Sequence, residues 1–266
     1  MTIRKLAMLG TVAALPVICL GAAAGCRTLG PCGLGLEAGD ASAWIWLGSP
    51  LLLLSIVVIA WIVRFALTGA STYREIAGLR LSPTSLRLAR VASRAGIKRI
   101  RSLDAEMPLA FCAGVMRPTV YVSEGALSTL QEDELLAVLY HEADHARHWE
   151  PAWRGARSAA AQVLSFLPIV RWFCERGSRR SEIAADIAAE QGVGSAALAG
   201  ALLVMTPSKL GLAAFAGYAE MRARRLLGLP FDEPHVPRAA WATTLVRLWI
   251  ALSLVGCVLN IAVALR

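Results

Sequence analysis

The sequence predicts a mainly α integral membrane protein, in which transmembrane helices carry a small α+β domain with a short β element. Three observations carry that reading. Hydrophobic residues make up 56% of the chain, and its mean hydropathy is +0.56. Several segments are uncharged over lengths that match the hydrocarbon core of a bilayer. Between them lies a polar region in which two short β-like runs precede an amphipathic helix with a metal-ligand pattern.

Leu6 to Gly25 and Trp44 to Val63 are each long enough to cross the membrane as a helix. A third span is predicted at Leu248 to Leu265, with Trp241 and Trp249 placed as interfacial anchors. The expected organisation is an N-terminal membrane region over residues 1–67 with spans at about 6–25 and 44–63. A membrane-associated domain follows over 68–240, and a C-terminal transmembrane helix over 241–266. Arg266 stands just past the third span, so no C-terminal soluble domain is expected.

The basic residues set the orientation. Arg27 is the one basic residue between the first two spans, whereas Arg64, Arg74, Arg80, Arg87, Arg90, Arg94, Lys98, Arg99 and Arg101 follow the second. Positive charge stays on the cytoplasmic side. The 68–240 domain is therefore expected to face the cytoplasm of a cell (inner) membrane, with Cys26 to Ala43 outside. The net charge of +8 reads as this topological signal. The arginines are scattered around membrane segments and no nucleic-acid motif accompanies them, so the expected partner is the lipid bilayer and no nucleic acid. Cys112 and Cys174 fall in the reduced compartment. Cys26 and Cys32 are placed either for an external disulfide or as free thiols, and Ala23 to Cys26 also matches, weakly, a lipoprotein-like acylation site.

Within the polar region, Ala110 to Gly114 and Thr119 to Val122 read as strands joined by a turn at Arg117 and Pro118. Such a hairpin either offers an edge to an extended peptide or simply covers the next helix. Thr129 and Glu132 then form a T-x-x-E capping box, and the helix is expected to end near Pro151. It carries the run LAVLYHEADHARHWEP, in which His141, Glu142 and His145 have HExxH spacing. At about 3.6 residues per turn both imidazoles lie on one face and reach one ion, with Glu142 beside the water it would activate. This is the pattern of a zincin. A catalytic zinc site takes three protein ligands and keeps one position for water. Downstream, SEIAADIAAE supplies Glu182 as the third ligand and Asp186, one turn on, as an acceptor that orients a ligand histidine. The expected cofactor is thus Zn2+, with Glu142 as general base. His148 reads as a helix-end histidine, favoured by the negative end of the dipole. Tyr140, Tyr218 and His235 are candidates for stabilising an oxyanion, none preferred.

Ser158 to Val170 is uncharged but too short for a span, and a complete crossing would separate Glu182 from the histidines. A re-entrant or interfacial helix is expected there. Val193 to Ser208 reads either as packing in the metal domain or as lying against lipid.

Over roughly Ala110 to Gly228, the runs FCAGVMRPTVYVSEGAL, LQEDELLAVLYHEADHARHWEP and SEIAADIAAE resemble the BlaR/MecR-type membrane metallopeptidases, relatives of the HtpX and CAAX-protease group. The resemblance implies a cytoplasm-facing gluzincin domain whose zinc is held by His141, His145 and Glu182. EMRARRLLGL, with Arg222 and Arg225, resembles the family's basic helix after the metal site, without an assigned role. The chain departs from the receptors in having no extracellular sensing domain after the last span and three clear spans where four are usual. Glu150 stands where relatives often have Asp. Direct antibiotic sensing is therefore not expected. The leading expectation is a zinc-dependent membrane endopeptidase (HExxH gluzincin) acting on a protein or peptide substrate that is cytoplasmic or membrane-proximal. The resemblance implies a transcriptional repressor in a signalling pathway as that substrate. An HtpX-like quality-control protease and a non-catalytic signalling scaffold are the alternatives.

Overall fold

The computed structural model describes residues 38–205, 218–230 and 235–264. The predicted span Leu6 to Gly25, together with Cys26 and Cys32, lies outside the described residues. Packing divides the chain into two units.

One unit holds the described residues up to Ala60, Phe166–Ile169 and those from Val236 onward. Its long helices are the first part of α1 (Ala38–Ala77) and α9 (Arg238–Ala264). Each contains a stretch long and apolar enough to cross a membrane, Pro50–Ala77 and Arg238–Val255. These cover Trp44 to Val63 in part and begin ten residues ahead of Leu248. Helices propagate through charged flanks that hydropathy alone excludes, which is why both run past the predicted spans. Along α1, Leu51, Leu54, Ile56 and Ile59 are exposed, as lipid-facing residues would be. Within this unit Thr244 Oγ1 accepts from the Ile169 amide at 3.3 Å, and Arg247 donates to the Phe166 carbonyl at 2.9 Å.

The other unit, Trp61–Ser165 and Val170–His235, carries the polar machinery. Its sheet has the order β1-β2-β4-β3, built from Leu81–Ser82, Ile100–Leu103, Ala110–Ala113 (β3) and Thr119–Ser123 (β4). The predicted hairpin is present: β3 and β4 pair antiparallel, with Phe111 opposite Tyr121 and their rings stacked at 5.2 Å. The hairpin is half of a mixed sheet. β2 pairs parallel to β4, and β1 antiparallel to β2. Two residues in β1 and a central arginine in β2 left no alternation to read. β3, on the edge, is buried throughout.

Helix α2 (Leu86–Arg94) packs Leu88 and Val91 inward, and the short α3 (Glu124–Thr129) follows β4 directly. α4 (Glu132–Arg147) is the central element. Its capping box is Gln131 with Glu134, not Thr129 with Glu132. Leu130 is extended and separates the two helices, so Thr129 closes α3 by donating to the Gly125 carbonyl at 2.7 Å. Glu132 instead pairs with Arg94. Leu135, Leu136, Val138 and Leu139 are all buried, against α2, the sheet residues Val120 and Val122, and α7 (Ser195–Val204). Each such side chain stabilises by about 1.5–3 kcal/mol.

α4 ends at Arg147, and Trp149 takes a left-handed conformation (φ 55°). Pro151, expected to stop α4, sits in the first turn of α5 (Glu150–Val163), where its missing N–H costs nothing. α6 (Pro168–Val193) begins after a short turn. Ser158 to Val170, expected to be re-entrant or interfacial, is not one continuous helix. It is the end of α5, a turn, and the start of α6, because Pro168 again favours a helix start over continuation. Val193 to Ser208 is also decided for its described part: α7 buries Leu198 and Ala201 against α4. The last element of the unit is α8 (Ala219–Leu226).

Candidate metal centre

His141 and His145 project from one face of α4, one turn apart, and their Nε2 atoms face each other at 3.1 Å. α6 brings Glu182 against both. Its Oε2 lies 3.4 Å from His141 Nε2, and its Oε1 lies 3.6 Å from His145 Nε2. The three side chains are buried, with a donor atom from each lying within 4.8 Å of the others. Glu142, the residue between the ligand histidines, is 2% exposed.

The close approach of α6 to α4 depends on Gly192. A Cβ there would meet the Tyr140 ring at 2.6 Å. Tyr140 itself donates its hydroxyl to the Arg94 carbonyl, so it is committed to the core and not to the donor cluster.

Behind the histidines, Asp186 Oδ1 lies 3.0 Å from His141 Nδ1. Arg222 of α8, fully buried, donates Nε to both Asp186 oxygens at 3.0 and 2.9 Å and a terminal nitrogen to Oδ1 at 2.5 Å. Burial raises the Asp186 carboxyl, but its hydrogen bonds to His141 and Arg222 outweigh this and hold it below the ordinary value. An ionised carboxylate only accepts. His141 must then carry its proton on Nδ1, which leaves the Nε2 lone pair directed at His145 and Glu182.

Burial and the Arg222 charge pull His141 down, yet its hydrogen bond to Asp186 and the nearby Glu182 carboxylate leave it raised. Burial, then the charges of His141 and Arg154, hold His145 well below its ordinary value, so it is neutral and fit to ligate. Burial pushes Glu142 up, with the charges of His141, Arg154 and Arg222 pulling partly back. A carboxyl raised in this way takes up a proton more readily than a free one, as a general base must.

The residues fit a metal ion. Even a proton shared between the two Nε2 atoms leaves Glu182 Oε2 buried without a hydrogen bond, and His145 Nδ1 likewise. Two donors on one tetrahedral zinc with bonds of about 2.0–2.1 Å stand about 3.3 Å apart, close to the spacings here.

The sequence-based ligand set and its acceptor Asp186 are thus brought together. His148 stays outside it, mostly exposed and 3.0 Å from the Asp144 carbonyl. Glu150 is buried and paired with Arg157. Two residues went unassigned by sequence. Arg222 stood out only as part of a basic helix, with no spacing rule to tie it to Asp186. Arg154, whose terminal nitrogen lies 3.6 Å from Glu182 Oε1, follows a turn that breaks helical register with His145.

Residues 79–211, half of the chain, match the family model for peptidase family M48. The chain belongs to peptidase family M48. That family is one of metallopeptidases, and the matched region includes every residue of the donor cluster along with Glu142, Arg154 and Asp186. It stops short of Arg222. No curated protein shows significant similarity to the chain.

Proposed function

We propose that this M48 member is a zinc-dependent membrane endopeptidase whose catalytic domain, about residues 68–240, faces the cytoplasm between membrane regions at 1–67 and 241–266. The observation that carries it is the convergence of the buried side chains of His141, His145 and Glu182, with ligand atoms within 4.8 Å of one another, and with Glu142 adjacent to His141. When bound, zinc would supply a Lewis acid that polarises the scissile carbonyl and acidifies water. Glu142 takes the proton of the attacking water and returns it to the leaving amine. Asp186 fixes the His141 tautomer, and Arg222 fixes Asp186. The edge position of β3 supports an extended substrate held by main-chain hydrogen bonds.

The substrate is a cytoplasmic or membrane-proximal protein, and in the BlaR/MecR-like reading a transcriptional repressor. An HtpX-like quality-control role is the second reading. It is favoured by a cavity of about 740 Å³ beside β3, lined by Phe65, Phe111, Met116 and other mostly apolar side chains, which has room for varied residues.

The test is cleavage of fluorescently labelled casein, and self-cleavage, by detergent-purified protein with bound zinc quantified. Wild type is expected to cleave and hold zinc. Glu142→Gln is expected to keep zinc and lose about 10²–10⁴-fold in rate, and Glu182→Ala to lose zinc. A Gln variant as fast as wild type overturns the mechanism. Many products from unrelated proteins favour quality control, and a single cut in one repressor favours signalling.

A further inference from the structure

We propose that Phe65 of α1 is a specificity-determining residue of the same site, closing the end of an apolar pocket that takes one substrate side chain flanking the scissile bond. This rests on the peptidase reading above. From Trp61 onward, α1 belongs to the unit that holds the metal centre. Trp61 donates its indole N–H to the Ala156 carbonyl of α5 at 3.0 Å and stacks on Phe65, with ring centres 6.0 Å apart. Phe65 lies against Gly155, where a Cβ would meet its ring at 3.2 Å. A glycine on α5 is thus what lets the aromatic ring seat there.

The pocket it closes is the cavity of about 740 Å³ beside β3. Phe65 and Ile76 of α1 line it, with Phe111 and Cys112 of β3 and Arg154 and Gly155 of α5. α1 and α5 come together at Phe65 and Gly155, which both line the cavity, whereas the next pair, Trp61 and Ala156, do not. That contact marks an end of the cavity. The donor cluster is at the same end. Gly155 follows Arg154 directly, so their Cα atoms are about 3.8 Å apart, and a terminal nitrogen of Arg154 lies 3.6 Å from Glu182 Oε1.

The occupant is an extended peptide. β3 is an edge strand buried throughout, and among the described residues no backbone hydrogen bond is made on its outer side. Buried backbone groups need partners, and an added strand supplies them. Successive side chains of such a strand point to opposite faces. In β3 itself, Phe111 packs on the face covered by Ile76 of α1, and Cys112 takes the other. Every second residue of the peptide therefore turns toward α1, and the one nearest the donor cluster meets Phe65. A benzyl wall offers that residue no hydrogen bond, so it selects apolar side chains by size.

The test uses the full chain in detergent. Cleavage sites in casein are mapped by mass spectrometry, and a peptide spanning one wild-type site is made with Ala, Leu or Trp on each side of the cut in turn. Wild type is expected to favour Leu over both Ala and Trp on one side. Phe65→Ala opens the end of the pocket and is expected to raise kcat/KM for Trp relative to Leu on that side by about 10- to 200-fold, with bound zinc unchanged. Phe65→Leu, which keeps an apolar side chain on Gly155, should shift the ratio the same way by less, and it carries the test where Phe65→Ala fails to fold. An equal loss on every peptide, with a lower thermal midpoint, makes Phe65 a packing residue and overturns the assignment. Loss of zinc from both variants makes it a support of the metal site and overturns the assignment too. Wild type that holds zinc yet cleaves nothing overturns the peptidase reading and this assignment with it. Wild type that cleaves beside variants of unchanged Trp-to-Leu ratio overturns this assignment alone.

Discussion

Asp186 and Arg222 are a buried ion pair, and such pairs are costly to break from one side. Removing Arg222 leaves the Asp186 charge with His141 as its remaining partner, so Arg222→Met is expected to destabilise the protein by about 3–5 kcal/mol. Denaturant titration of the variant measures this. The double variant Arg222→Met with Asp186→Asn should recover much of the loss, since it buries no unpaired charge. Asp186→Asn alone is expected to weaken zinc binding by about 10–100-fold, measured by chelator competition, because the amide no longer fixes His141 as a carboxylate does. The pair also sets a pH dependence. The folded Asp186 value is held below the unfolded one, so its stabilisation is fully present above about pH 4 and is lost as the pH falls through the folded value. Thermal midpoints of the wild type should fall over that acid range, and those of Asp186→Asn should fall less.

The elements around the site are positioned by small details. Gly192 lets α6 pass the Tyr140 ring, and a branched side chain there has no room. Gly192→Val is expected to cost about 1–3 kcal/mol and to weaken zinc binding as well, since displacing α6 displaces Glu182. A drop in thermal midpoint with unchanged zinc affinity would separate the two effects. The start of α4 offers a sharper comparison. Because Glu134 caps through the Gln131 amide at 2.9 Å, Glu134→Ala should destabilise by about 0.5–2 kcal/mol. The T-x-x-E pattern read from sequence assigns that role to Glu132, which here makes only an exposed ion pair with Arg94, and Glu132→Ala should cost less than about 1 kcal/mol.

At the scale of the whole molecule, the reading to test is the membrane one. The helices containing Pro50–Ala77 and Arg238–Val255 are long and apolar enough to cross a bilayer. The protein is expected to stay with membranes through an alkaline wash and to need detergent for release. Reporter fusions or cysteine labelling at Arg99 and at position 175 should report the cytoplasmic side. Labelling from outside would overturn the orientation argued from the arginines. Chelation should lower the thermal midpoint of the 61–235 unit, because an ion that binds only the folded chain stabilises it by mass action.

HExxH and E-x-x-x-D were legible in the sequence because a helix fixes side-chain direction by local spacing, and His141, His145, Glu182 and Asp186 meet as that spacing implies. The β3–β4 hairpin was legible because alternation over a short turn is also local. Length and apolarity marked the long helices, and their ends were not marked because helix propagation ignores hydropathy. What only the tertiary structure decided are the partners without a common period: Arg222 on Asp186 across 36 residues, Arg154 beside Glu182 across a turn, and β2 entering the sheet parallel to β4. Local spacing dictates which face a residue occupies, and only packing dictates which other face it meets.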